Sequence, residues 1–90
     1  MDFDKKYAFQ KEKVAYRVVN DGAVILNLEN GCYYGLNIIG TQIWQGIEKG
    51  KSLGEIAGLI SEEYPVSEHQ IRADLVKLVT DLEKEGLITQ

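Results

Sequence analysis

The sequence predicts an α+β domain in which a three-stranded antiparallel sheet is followed by three helices. Three observations carry this. Two turns of Asn, Asp and Gly, at Asn20-Asp21-Gly22 and Asn30-Gly31, separate short runs rich in β-branched and aromatic residues. Asn37, Ser52 and Ser67 each head an apolar pattern of helical period. No strand pattern recurs after the last of these.

The elements follow in order. Residues 1–12 are polar, of mixed charge and dotted with Phe3, Tyr7 and Phe9; they read as an N-terminal tail, with room for one docked short strand. The domain proper spans residues 13–90. Lys13–Val19 alternates enough for a strand, with Val14, Tyr16 and Val18 on one face. Asp21-Gly22 tolerates positive φ and turns the chain. Ala23–Leu28 is the second strand, and after Asn30-Gly31 the third is Cys32–Leu36. Asn37 caps a helix over Ile38–Glu48, with Ile39, Ile43, Trp44 and Ile47 as its apolar stripe and Gly50 as its stop. Ser52 with Glu55 forms a capping box for a second helix, whose stripe is Leu53, Ile56, Ala57 and Ile60. Tyr64-Pro65 ends it, because the residue before proline is pushed out of the α region. Ser67 caps the third helix, which runs to about Glu85 before Gly86. Leu87 and Ile88 fold back on the core.

Composition narrows the function. Ninety residues make one domain with one core and one binding surface, too small for a deep catalytic cavity. The net charge is −4, and residues 18–90 carry five Lys/Arg against eleven Asp/Glu. Such a body disfavours nucleic-acid phosphates. The single cysteine, Cys32, excludes an internal disulfide and fits a reducing cytosol. No apolar run approaches the roughly 20 residues that span a bilayer, and the N-terminus lacks a secretory core, so a cytoplasmic address is expected. No metal or cofactor is expected: His69 is alone, Cys32 has no evident base, and no glycine pattern resembles a phosphate loop. Asp74 suits the helix dipole near the start of its helix, and Trp44 reads as core. No catalytic constellation is present, so an enzyme is not expected.

What remains is an edge. With no later strand to pair with, Cys32–Leu36 keeps one row of free N–H and C=O groups, and such a row can template another chain. Tyr33 and Tyr34 point to opposite faces, and Gly35 marks a bulge or a close backbone approach. On the third helix, Ile71, Leu75, Leu78 and Leu82 form the core stripe. Val76 and Val79, with Arg72 and Glu83, form a second stripe beside it. The plain reading is one wide apolar face on the sheet; the functional reading is a groove wall beside the free strand. The candidate peptide-binding residues are therefore Cys32, Tyr33, Tyr34, Gly35 and Leu36 on the strand, with Arg72, Leu75, Val76, Val79 and Glu83 on the helix.

The ordered set YYGLN, G-T-x-I-W, GKSLGEIAGLISEEYPVSEHQIRADL and a closing L-x-x-E-G-L-I resembles the PqqD family, also called RiPP recognition elements, over Val24–Ile88. The resemblance implies a winged helix-turn-helix that binds the leader of a ribosomal precursor peptide as an extra strand on its third strand, against its third helix. The Tyr-Tyr-Gly-Leu-Asn and Gly-Thr-x-Ile-Trp pieces look most like the stand-alone proteins of lasso-peptide clusters. There the implied partner is a separate cysteine-protease-like leader peptidase. The version serving the quinone cofactor pathway works beside a radical enzyme and is the alternative. Two other classes stay open. A DNA-binding winged helix would have to use a third helix that carries five acidic and three basic residues between Glu68 and Glu85. A homodimer would pair the free edge with its own copy.

Overall fold

Asn20 turns the chain with a left-handed backbone, at φ 45°, and the strand pairing starts directly beside it at Val19–Gly22. The computed structural model describes residues 2–90. A short β1 (Ala8–Phe9) comes first. A meander follows: β2 (Val14–Val19), β3 (Gly22–Asn27) and β4 (Tyr33–Leu36). Then come α1 (Ile38–Glu48), α2 (Leu53–Glu63), α3 (Glu68–Lys84) and β5 (Ile88–Thr89). The main sheet has the order β2-β3-β4 and is antiparallel throughout; β1 and β5 form a separate antiparallel pair. The strand-then-helix order is the α+β arrangement read from the sequence.

Gly22 is in the strand rather than in the turn. A side chain there would put its Cβ 2.5 Å from the Leu36 carbonyl oxygen, so glycine lets β3 and β4 close together. Cys32 also differs from expectation. It lies in the turn before β4, where its N–H donates to Asn30 Oδ1 at 2.9 Å. Asn27, 2% exposed, builds that turn: its Oδ1 accepts from the N–H groups of Glu29 and Asn30. Gly31 supplies the positive φ, 74°.

Local chemistry closes the helix ends. Asn37 Oδ1 accepts from Gly40 N–H at 2.8 Å. Ser52 and Glu55 exchange both bonds of a capping box, which holds the Glu55 carboxyl below its usual range, the Ser52 backbone N–H being the larger cause. Ser67 Oγ accepts from Gln70 N–H. Gly50 and Gly86 take left-handed φ of 76° and 73° after α1 and α3.

The core lies between the inner sheet face and the helices, with Ile25, Ile43, Trp44, Leu53, Ile71, Leu75 and Leu87 fully buried. β2 serves this core at one end only. Val14 is buried and Tyr16 packs inward, but Val18 is 44% exposed although its cross-strand partner Ala23 is buried. The N-terminal segment packs on the body. Phe9 stacks on Trp44 with centroids 3.9 Å apart, Tyr16 meets both rings edge-on, and Tyr7 is buried. The carbonyls of Lys5 and Phe3 accept from Leu53 and Gly54, the first amides of α2. The Tyr16 hydroxyl donates to Glu48; that bond, helped by burial and the carboxylate charge, pushes the phenol up to about 12.

Candidate peptide-binding groove

The backbone of β4 decides what its free side can offer. Asn27 N–H donates to the Cys32 carbonyl at 2.9 Å. Antiparallel ladders alternate bonded and non-bonded pairs, so Ile25–Tyr34 and Ala23–Leu36 are the next bonded pairs in this register. The Leu36 carbonyl lies against Gly22, as this alternation requires. Tyr34 and Leu36 thus spend their backbone groups on β3. Tyr33 and Gly35 turn theirs outward, and no other strand borders β4 among the described residues.

Side chains alternate the other way. Tyr34 and Leu36 lean to the helix side, and Tyr33, 70% exposed, stands on the outer sheet face. Gly35 has an ordinary φ and open space where a side chain would project. It is not a bulge, since the pairing runs unbroken from Ala23–Leu36 to Leu26–Tyr33.

Between β4 and α3 runs a groove made of two adjoining hollows of about 290 and 410 Å³. They share Gly35, Leu36, Leu78 and Asp81. One reaches toward α1 past Ile39, Gly40 and Ile43, and the other ends at Tyr34, Leu82, Lys84 and Glu85. At that end the Glu85 carboxylate beside the Tyr34 hydroxyl raises the phenol's pKa above its ordinary value, and Glu85 also accepts from Asn27 Nδ2 at 3.5 Å. One carboxylate thereby links the turn, the strand aromatic and the end of α3.

The helix residues expected from the sequence are mostly elsewhere. Val79 and Leu75 are fully buried, part of the core beneath the groove. Arg72, Val76 and Glu83 do not line either hollow. Arg72 lies over the Phe3 ring at 4.4 Å from its centroid and pairs with Glu68. The physical reason is rotational. At about 100° per residue, Arg72, Val76 and Glu83 stand about 120–180° from Asp74, Leu78, Asp81 and Glu85. A stripe adjoining the core stripe can lie on either flank, and the groove is on the other one. Leu78, assigned to the core by its spacing, packs against the core with part of its side chain uncovered, and that part forms the groove wall. Leu78, Asp81 and Glu85 were thus missed as wall residues. The usable signal was their spacing of three and four residues on the flank away from Arg72. Cys32 is exposed in the turn at the head of β4 and lines neither hollow.

A family model described as Coenzyme PQQ synthesis protein D (PqqD) matches residues 22–88. The chain belongs to the PqqD family. The match takes in β3, β4, the three helices and the start of β5, hence every element that builds the groove. Among solved structures, TbiB1 in complex with the TbiA(beta) leader peptide is 31% identical, over 90% of this chain and 93% of its own, with a TM-score of 0.78. A lasso peptide synthetase B1 complexed with the leader peptide is 24% identical, over 96% of this chain and 100% of its own, with a TM-score of 0.81; it speaks for the fold. A comparison with curated proteins found no match. Among its described residues, this PqqD-family chain has no helix long and apolar enough to cross a membrane and no group of three or more His, Cys, Asp or Glu that could hold a metal ion.

Proposed function

We propose that this chain is a non-catalytic adaptor of the PqqD family. It captures the leader segment of a ribosomal precursor peptide as a strand added to β4, and presents it to a processing enzyme, a cysteine-protease-like leader peptidase. The vacant edge of β4 beside a groove that offers Leu36, Leu78 and Leu82 carries this reading. The leader-bound state of the 31%-identical TbiB1 supports it, and the likeness of Tyr-Tyr-Gly-Leu-Asn and Gly-Thr-x-Ile-Trp to the lasso-cluster proteins favours a peptidase over the radical-enzyme partner of the quinone pathway.

The chemistry is main-chain capture with side-chain selection. The N–H and C=O groups of Tyr33 and Gly35 supply backbone bonds at about 0.5–1.5 kcal/mol net each. Each apolar leader side chain seated on Leu36, Leu78 and Leu82 adds about 1.5–3 kcal/mol. Ordering a disordered leader takes back about 2–5 kcal/mol or more. The balance is micromolar to nanomolar binding.

Titration of the chain with a leader peptide, followed by calorimetry, tests this. Wild-type protein is expected to bind, and Leu78→Asp to weaken binding at least tenfold with an unchanged circular-dichroism spectrum. Equal affinity for wild type and Leu78→Asp would remove the groove from the site.

A further inference from the structure

Leu78 stands on the groove wall with a carboxylate on either side. Asp74 precedes it by four residues and Asp81 follows it by three, and all three face the same hollow. At about 1.5 Å rise per residue, the aspartates sit about 6 Å and 4.5 Å along the helix from Leu78. Neither is held in an ion pair among the described residues, although Lys77 and Lys84 stand within a helical turn of them. The ion pairs among the described residues are Lys13–Glu29 and Arg72–Glu68, both remote from this wall. Gln70 Nε2 donates to Asp74 Oδ1 at 2.9 Å, which orders that carboxylate without cancelling its charge. Lys77 also borders the hollow, but it stands about 40–60° farther round the helix, on the solvent rim. The opposite wall is uncharged: Gly35, Leu36, Asn37, Ile39, Gly40 and Ile43.

An extended segment in this groove brings its same-face side chains past α3 about every 6.6 Å. That interval is close to the 6 Å from Leu78 to Asp74, and it exceeds the 4.5 Å to Asp81 by about 2 Å, which the long stem of a Lys or Arg can span. When one apolar side chain rests on Leu36 and Leu78, its same-face neighbours two positions away stand opposite Asp74 and Asp81. Neutral or acidic neighbours there would cover an unpaired carboxylate, which costs free energy and disfavours such segments.

We infer that the groove selects segments in which an apolar residue is flanked, two positions before or after it, by Lys or Arg. The selection rests on the strand addition proposed above. Because the aspartates are exposed, the preference is moderate, about fivefold in affinity, and weakens with salt.

The full chain is panned against a displayed library of random linear peptides, in parallel with a double variant carrying Asp74→Asn and Asp81→Asn. Selected peptides are titrated into labelled protein while the Tyr33 and Gly35 amides are followed by nuclear magnetic resonance. The expected result is enrichment of Lys or Arg two positions from an apolar residue for wild type, lost in the double variant, with both amides protected. Peptides that protect these amides without the basic enrichment, or with equal enrichment in the variant, overturn the charge selection and leave the added-strand site standing. Peptides that leave both amides unprotected overturn the site and the selection together.

Discussion

Gly22 is held to glycine by its neighbour strand, not by its own dihedral angles. A Cβ at 2.5 Å from the Leu36 carbonyl oxygen forces β3 and β4 apart, so Gly22→Ala is expected to destabilise by about 1–3 kcal/mol. A shifted urea midpoint measures it, and an unchanged midpoint contradicts the strand spacing described. The pair Leu78 and Val79 separates fold from function one residue apart. Val79 is fully buried, so Val79→Asp is expected to unfold the chain, while Leu78→Asp is expected to spare the fold and lose peptide binding. Val76→Asp, on the far flank, is expected to leave affinity unchanged. Arg72→Ala is expected to free the Phe3 end of the N-terminal segment and not to touch the groove. Binding titrations alongside circular dichroism separate these four outcomes. Periodicity located the apolar arc of α3 but not which of its shoulders faces β4, because that choice depends on how α3 is rotated against a strand more than thirty residues away. Val79 therefore moved from the expected groove wall into the core, while Leu78 serves both the core and the groove.

At the scale of elements, the helices were legible because their signals are local. Asn37, Ser52 and Ser67 cap where the sequence places them, and Ile38–Glu48 has the expected bounds. Ser52→Ala is expected to cost about 1 kcal/mol. The Glu55 carboxyl has its pKa lowered in the fold by the Ser52 amide, then by the Ser52 side chain. A depressed acid stabilises above its unfolded value, 4.5, and that contribution fades as pH falls through the lower folded value. Urea midpoints of Glu55→Gln and wild type are thus expected to converge as the solution is acidified below 4.5. A constant gap across that range would argue against the capping box as its source. The strands were read less closely. Cys32 fell outside β4 because the Asn30 side chain binds its amide within the turn. β1 pairs with β5 across nearly the full chain length, a contact that no local pattern encodes. Phe9 on Trp44 was hidden for the same reason, though the aromatic content of residues 1–12 hinted at burial.

At the scale of the whole molecule, three strands and three helices leave one strand edge facing one helix flank with a gap between. β3 is the centre of the sheet, so β4 cannot be covered by its own meander, and α3 stands off far enough to leave the hollows along Leu36 and Leu78. The free edge was legible from the order of elements alone; the acidic wall opposite it was not. Amide hydrogen exchange on the free and peptide-bound chain tests the vacancy and its filling directly. The Tyr33 and Gly35 amides are expected to exchange rapidly in the free protein, while Tyr34 and Leu36 are protected, and all four are expected to be protected once a leader peptide binds. Protection of Tyr33 and Gly35 already in the free monomer, or their continued rapid exchange in the saturated complex, would contradict strand addition at β4.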